Sequence, residues 1–101
     1  MKATIDLNRL RAAAGEASEL LRTLGNEDRL LLLCEISHAE LSVGELAERT
    51  GIVQPTLSQQ LAVLRAQGLV ATRRDGKQIF YSVADRRTLE LLKTLLRLFC
   101  N

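Results

Sequence analysis

The sequence predicts a mainly α-helical chain carrying one β-hairpin, on three observations. Leucine and alanine recur at three- and four-residue spacings over most of its length, two short helical segments meet at Thr50-Gly51, and Asp75-Gly76 separates two β-prone runs. With 101 residues, one hydrophobic core of ordinary size is possible and two are not, so residues 1–101 are expected to form a single domain. Hydrophobic residues make up 47% of the chain but only Phe80, Tyr81 and Phe99 are aromatic. The core must therefore be built of Leu, Ala, Ile and Val, a composition that favours helices.

The first helix is expected over Leu7 to Leu24, with Leu10, Ala13, Ala14, Ala17, Leu20 and Leu21 on one stripe. Gly25-Asn26 interrupts it. Asn26 suits an N-cap, with Glu27 and Asp28 placed where carboxylates favour the helix dipole, and a second helix runs to about Ser37. Ser42 and Glu45 have the spacing of a capping box for a third helix, Val43 to Arg49, which Gly51 ends in a left-handed conformation. Pro55 suits the first position of a fourth helix whose Leu57, Leu61 and Leu64 recur at helical spacing, and Gly68 ends it. The hairpin follows, Val70 to Arg74 and Lys77 to Val83 around Asp75-Gly76. Asp85 then caps a last helix to about Cys100 with leucines on two adjacent faces, more apolar surface than one small domain covers, which predicts self-association.

Two short helices joined by a tight glycine turn and followed by a hairpin make a winged helix-turn-helix. In that arrangement the second helix of the pair enters the DNA major groove. With the leucines turned inward, Gln54, Thr56, Ser58, Gln59 and Gln60 lie on or near its outer surface. A Gln amide can bridge N6 and N7 of adenine, and hydroxyls serve bases or phosphates, although polar groups also face solvent on any amphipathic helix. Arg73, Arg74 and Lys77 flank the hairpin tip, where long cations reach phosphates.

Charge supports this division without requiring it. The formal net charge is only +2, yet Glu27 to Glu48 holds six acids and one base, while Arg49 to Lys77 holds five bases and one acid. The second half can face a polyanion or be ordinary solvated surface. Enzymatic chemistry has no support: His38 is the single histidine, with no nucleophile or carboxylate partner by spacing, and no Gly-rich phosphate loop is present. The longest apolar run, Leu30 to Cys34, is far short of the roughly 20 residues that span a bilayer, and a cytoplasmic location without membrane contact is expected.

Taken together, Leu24 to Leu30, Ser42 to Ala47, Gln54 to Leu61 with Leu64, Gly68 to Lys77 and Tyr81 resemble the ArsR/SmtB-type winged-helix repressors of bacteria. The resemblance implies a homodimer through the first and last helices, two reading helices on an inverted-repeat operator, and an inducer that releases DNA. Metal-sensing relatives carry Cys-x-Cys where this chain has Ser42-Val43-Gly44, or Asp and His ligands on the last helix, which here has no histidine. No metal or other cofactor is therefore expected.

Cys34 and Cys100 are the two cysteines. Cys34, within Leu31 to Glu35, also reads as a small buried hydrophobe. Their placement, late in the second helix and at the end of the last, resembles the persulfide-sensing BigR/SqrR-like branch. That resemblance implies that reactive sulfur bridges the two thiols and frees the operator. A thiol-disulfide switch, and an anti-silencing activator similar to the HlyU-like branch, are the alternatives.

Overall fold

The structure is a computed structural model that describes residues 4–100. Helix α1 runs Leu7–Leu24, α2 Glu27–Ile36, α3 Val43–Thr50, α4 Thr56–Ala66 and α5 Arg86–Phe99; strands β1 (Leu41–Ser42), β2 (Val70–Asp75) and β3 (Gln78–Val83) form one sheet. The helix ends follow the predicted local chemistry. Asn26 Oδ1 accepts from Arg29 N–H at 3.0 Å to start α2. At α3 the capping box closes both ways, Glu45 N–H to Ser42 Oγ at 3.1 Å and Ser42 N–H to Glu45 Oε1 at 2.9 Å. Gly51 ends α3 at φ 73°, a conformation that costs a residue with a side chain but not glycine.

Three details depart from the expectations. Pro55 lies just outside α4 rather than at its first position. The hairpin turn is Gly76-Lys77, not Asp75-Gly76, because Asp75 still pairs with Gln78. Gly76, at φ 66°, takes the first central position, as glycine does in type II′ turns, and this shift of one residue carries Lys77 out of the strand to the tip. The sheet also has a third strand. β1 pairs antiparallel with the far edge of β3, Leu41 against Tyr81 and Ser42 against Phe80, giving the order β1-β3-β2. Two residues are too few for any period to be read, and only the exposed ladder of β3 makes them a strand.

The core is almost entirely leucine. Leu32 and Leu33 of α2, Leu46 of α3, Leu57, Leu61 and Leu64 of α4 and Leu92 of α5 are buried together with Leu41 and Val70. Each such side chain contributes roughly 1.5–3 kcal/mol by leaving water. This packing fixes α3 and α4 on α2 and leaves the outer face of α4 free. No described helix is long and apolar enough to cross a membrane.

Candidate nucleic-acid interface and thiol pair

Among the described residues, α4 presents its predicted polar side chains in different states. Gln59 and Ser58 are exposed and Thr56 is half-buried. Gln54 is exposed, but its Oε1 accepts from Ser58 N–H at 3.0 Å and so caps the first turn of α4, which Pro55 has no side-chain group to do. Gln60 is half-buried, and its Oε1 accepts from Nη1 of Arg29 at 3.1 Å. Gln59 therefore keeps both ends of its amide available, while Gln54 and Gln60 each have the carbonyl end engaged.

The hairpin cations also divide. Arg73 is gripped by Glu40, in the connection before β1: Nη2 lies 2.7 Å from Oε1 and Nε 3.1 Å from each carboxylate oxygen. Its guanidinium also lies over the ring of Phe80, 4.9 Å from the centroid, and Phe80 is its cross-strand partner. The Arg73 hydrogen bonds hold the Glu40 carboxyl below its ordinary range, and Glu40 raises Arg73 in return. Arg74 and Lys77 are exposed and have no ion-pair partner among the described residues. Strand alternation separates Arg73 from Arg74, since neighbours in a strand point to opposite faces and only one face meets Glu40, while Lys77 stands outside the strands at the tip. Sequence reasoning had no signal for Glu40, which is 33 residues away from Arg73.

Cys34 is half-buried against the core and Cys100 is exposed where α5 ends. Burial pushes the Cys34 thiol up, and negative charge on Cys100 and on Glu35 pushes it further. The fold packs α5, which ends at Cys100, on α2, which bears Cys34, although the two cysteines are 66 positions apart in sequence. His38 is exposed after α2, and no group of three or more His, Cys, Asp or Glu side chains that could hold a metal forms among the described residues.

Comparison with known proteins agrees with this architecture. Residues 26–72 match the family model described as bacterial regulatory protein, arsR family. The chain is 49% identical over 88 residues to the biofilm growth-associated repressor of Xylella fastidiosa, covering 87% of this chain and 77% of that one. It is 39% identical over 99 residues to the transcriptional activator HlyU of Vibrio cholerae, covering 98% and 92%. The crystal structure of the transcriptional repressor BigR from Xylella fastidiosa superposes with a TM-score of 0.88 at 44% identity, over 96% of this chain and 99% of that one. A winged helix-turn-helix, a matching family model and relatives this similar over nearly the whole chain lead to one conclusion: the chain belongs to the arsR family of bacterial regulatory proteins, a family of regulators and not of enzymes.

Proposed function

We propose that this chain is a cytoplasmic transcriptional repressor that binds an inverted-repeat operator as a homodimer and lets go when reactive sulfur joins Cys34 to Cys100. The observation that carries the reading is a joint placement: α2 has α4 packed on it and bears Cys34, and α5, which also packs on α2, ends at Cys100. A change that ties α2 to α5 is therefore made on the element that supports α4.

Gln59, exposed and with no hydrogen-bond partner among the described residues, is the main base reader, flanked by Thr56, Ser58 and the amide nitrogen of Gln54. Arg74 and Lys77 supply the phosphate contacts that are free in the isolated protein, and Arg73 joins them only by leaving Glu40. Dimerisation uses α1 and α5. Leu10, Leu21, Leu98 and Phe99 are exposed, and an open cleft of about 440 Å³ between the two helices has Ala13, Ala17, Leu20 and Leu91 in its wall. Two reading heads one helical turn apart need such a rigid link.

The switch starts at Cys100, the exposed thiol, since Cys34 is half-buried and that burial pushes its thiol up. The Cys100 sulfur attacks the outer sulfur of a persulfide donor, whose sulfur–sulfur bond breaks and which leaves as a thiol with the proton given up by Cys100. Cys34 gives up its proton and takes a sulfur from a second donor molecule in the same way. The terminal sulfur of one protein persulfide then attacks Sγ of the other. A sulfur–sulfur bond forms, the bond to the second terminal sulfur breaks, and hydrosulfide leaves with the electron pair. The product is a trisulfide, one sulfur longer than a disulfide. A tenfold to hundredfold loss of operator needs only about 1.4–2.8 kcal/mol of preference for the released conformation.

The test begins with a duplex enriched by the reduced wild-type protein from a randomised library. A persulfide donor is expected to release that duplex, and intact mass should show an intramolecular link heavier than a disulfide by one sulfur atom. Cys34→Ser and Cys100→Ser proteins should bind DNA and ignore the donor. Release of both variants would end the dithiol reading, and a link of disulfide mass would replace the polysulfide by a simple redox switch.

A further inference from the structure

Among the described residues, one side-chain hydrogen bond joins α4 to another helix. Arg29, in the first turn of α2, donates from Nε to the Thr23 carbonyl at 2.8 Å, from Nη2 to the Arg22 carbonyl at 3.4 Å and from Nη1 to Gln60 Oε1 at 3.1 Å. Its own N–H is held by Asn26 Oδ1. The two carbonyls lie in the last turn of α1, where helical carbonyls lack intrahelical partners and a cation is favoured. A guanidinium is planar, so two donors fixed on α1 decide where the third one points.

We propose that Arg29 is a positioning residue for DNA recognition: it grips Gln60 and thereby sets the rotation of α4 against the α1–α2 corner, with Gln60 serving as a strut and not as a base reader. The proposal rests on the DNA-binding reading above. Bidentate recognition of adenine by glutamine needs the amide oxygen and nitrogen together. In Gln60 the oxygen is already taken and the side chain is half-buried, whereas its neighbour Gln59 is exposed and uncommitted. Gln60 flanks the buried row of Leu57, Leu61 and Leu64, so a pull on it turns the helix about its axis. Cys34 lies on α2 five residues after Arg29, so a displacement of α2 by a bridge at Cys34 reaches α4 through this bond as well as through leucine packing.

Substitution at Gln60 separates a strut from a reader while leaving Arg29 on its α1 carbonyls. Gln60→Met keeps the length and removes the acceptor; Gln60→Glu keeps an acceptor for Arg29 and adds a charge that a base-edge contact would not tolerate. The readout is the ratio of affinities for the enriched duplex and a random-sequence duplex. Gln60→Met is expected to lower that ratio about tenfold with an unchanged salt slope on random DNA, since no phosphate contact is touched. Gln60→Glu should keep the ratio within about threefold of wild type, and Arg29→Met combined with Gln60→Met should lose no more than Arg29→Met alone, as two members of one interaction do. A Gln60→Met ratio equal to wild type, or a Gln60→Glu ratio as low as that of Gln60→Met, overturns the proposal. Thermal unfolding checks each variant; if Gln60→Met does not fold, Gln60→Glu decides alone, support within threefold and refutation at a tenfold loss. Failure of the wild-type protein to enrich any duplex is a separate result, seen before a variant is made, and removes the DNA-binding reading itself.

Discussion

The helix-turn-helix and the first helix are amphipathic segments made from the same residues, and they end in opposite conditions. Helices α3 and α4 bury their leucines completely, Leu46 and Leu64 at 0% exposure, although together they are hardly longer than α1. Helix α1 buries nothing from Leu7 to Glu19 and leaves Leu10 and Leu21 about half exposed. The difference teaches that an apolar stripe states only that a face is to be covered. What covers it is decided by the neighbours, and along most of α1 this chain supplies none.

The largest effects should come from breaking that contrast at its buried end. Leu64→Ala is expected to cost about 2–5 kcal/mol in urea unfolding, by removing buried methyl groups and leaving a cavity, and the loss should not depend on protein concentration. Helix α5 belongs to both regions at once. Its Leu92 is fully buried and its Leu98 is exposed, so Leu92→Asp should abolish folding while Leu98→Asp should not. The leucines of this helix, read from the sequence as surface for self-association, therefore divide, and Leu92 holds α5 to the core of its own chain.

At the exposed end, Leu10→Asp together with Leu98→Asp should give a folded protein that sediments as a monomer at micromolar concentration and binds the enriched duplex more than about tenfold less tightly, having lost the linked second head. A folded dimer from that double variant would place the interface elsewhere and weaken the contrast.

A smaller effect sharpens the same theme inside the wing, where adjacent arginines are covered and uncovered. Arg74→Ala and Lys77→Ala should each lower the slope of log affinity against log salt by about 0.9, the value of one phosphate contact. Arg73→Ala should lower it less, because Glu40 already neutralises that cation. Equal changes at all three positions would show that DNA strips Arg73 from Glu40.

The smallest effect concerns the thiols, again one covered and one open. Burial raises Cys34 above the usual thiol value of 9.0, so the folded state favours the protonated form. Its contribution to stability is therefore complete below the unfolded thiol value and is lost as pH rises through the raised one. Alkylation at pH 7–8 should modify Cys100 well before Cys34, read by peptide mass. Cys34→Ser should remove the part of the alkaline stability loss that this group causes.

Much of this fold could be read from local residues because local physics makes it. Asn26, the pair Ser42 and Glu45, Gly51 and Asp85 end or begin helices through contacts within a few positions, so their roles are written in short stretches of sequence. The polar face of α4 and the pairing of β2 with β3 follow in the same way from period and turn chemistry. Strand β1, the capture of Arg73 by Glu40 and the grip of Arg29 on Gln60 depend on partners 31 to 40 positions away. Composition and spacing alone thus determined the five helices, the hairpin, their order and which helix carries the candidate polar groups. The tertiary structure decided which of the candidate polar groups are free to do it, because a hydrogen bond or ion pair is set by distance in space, and only the packing of α2 with α4 and α5 and the folding back of β3 on β1 bring those groups within reach.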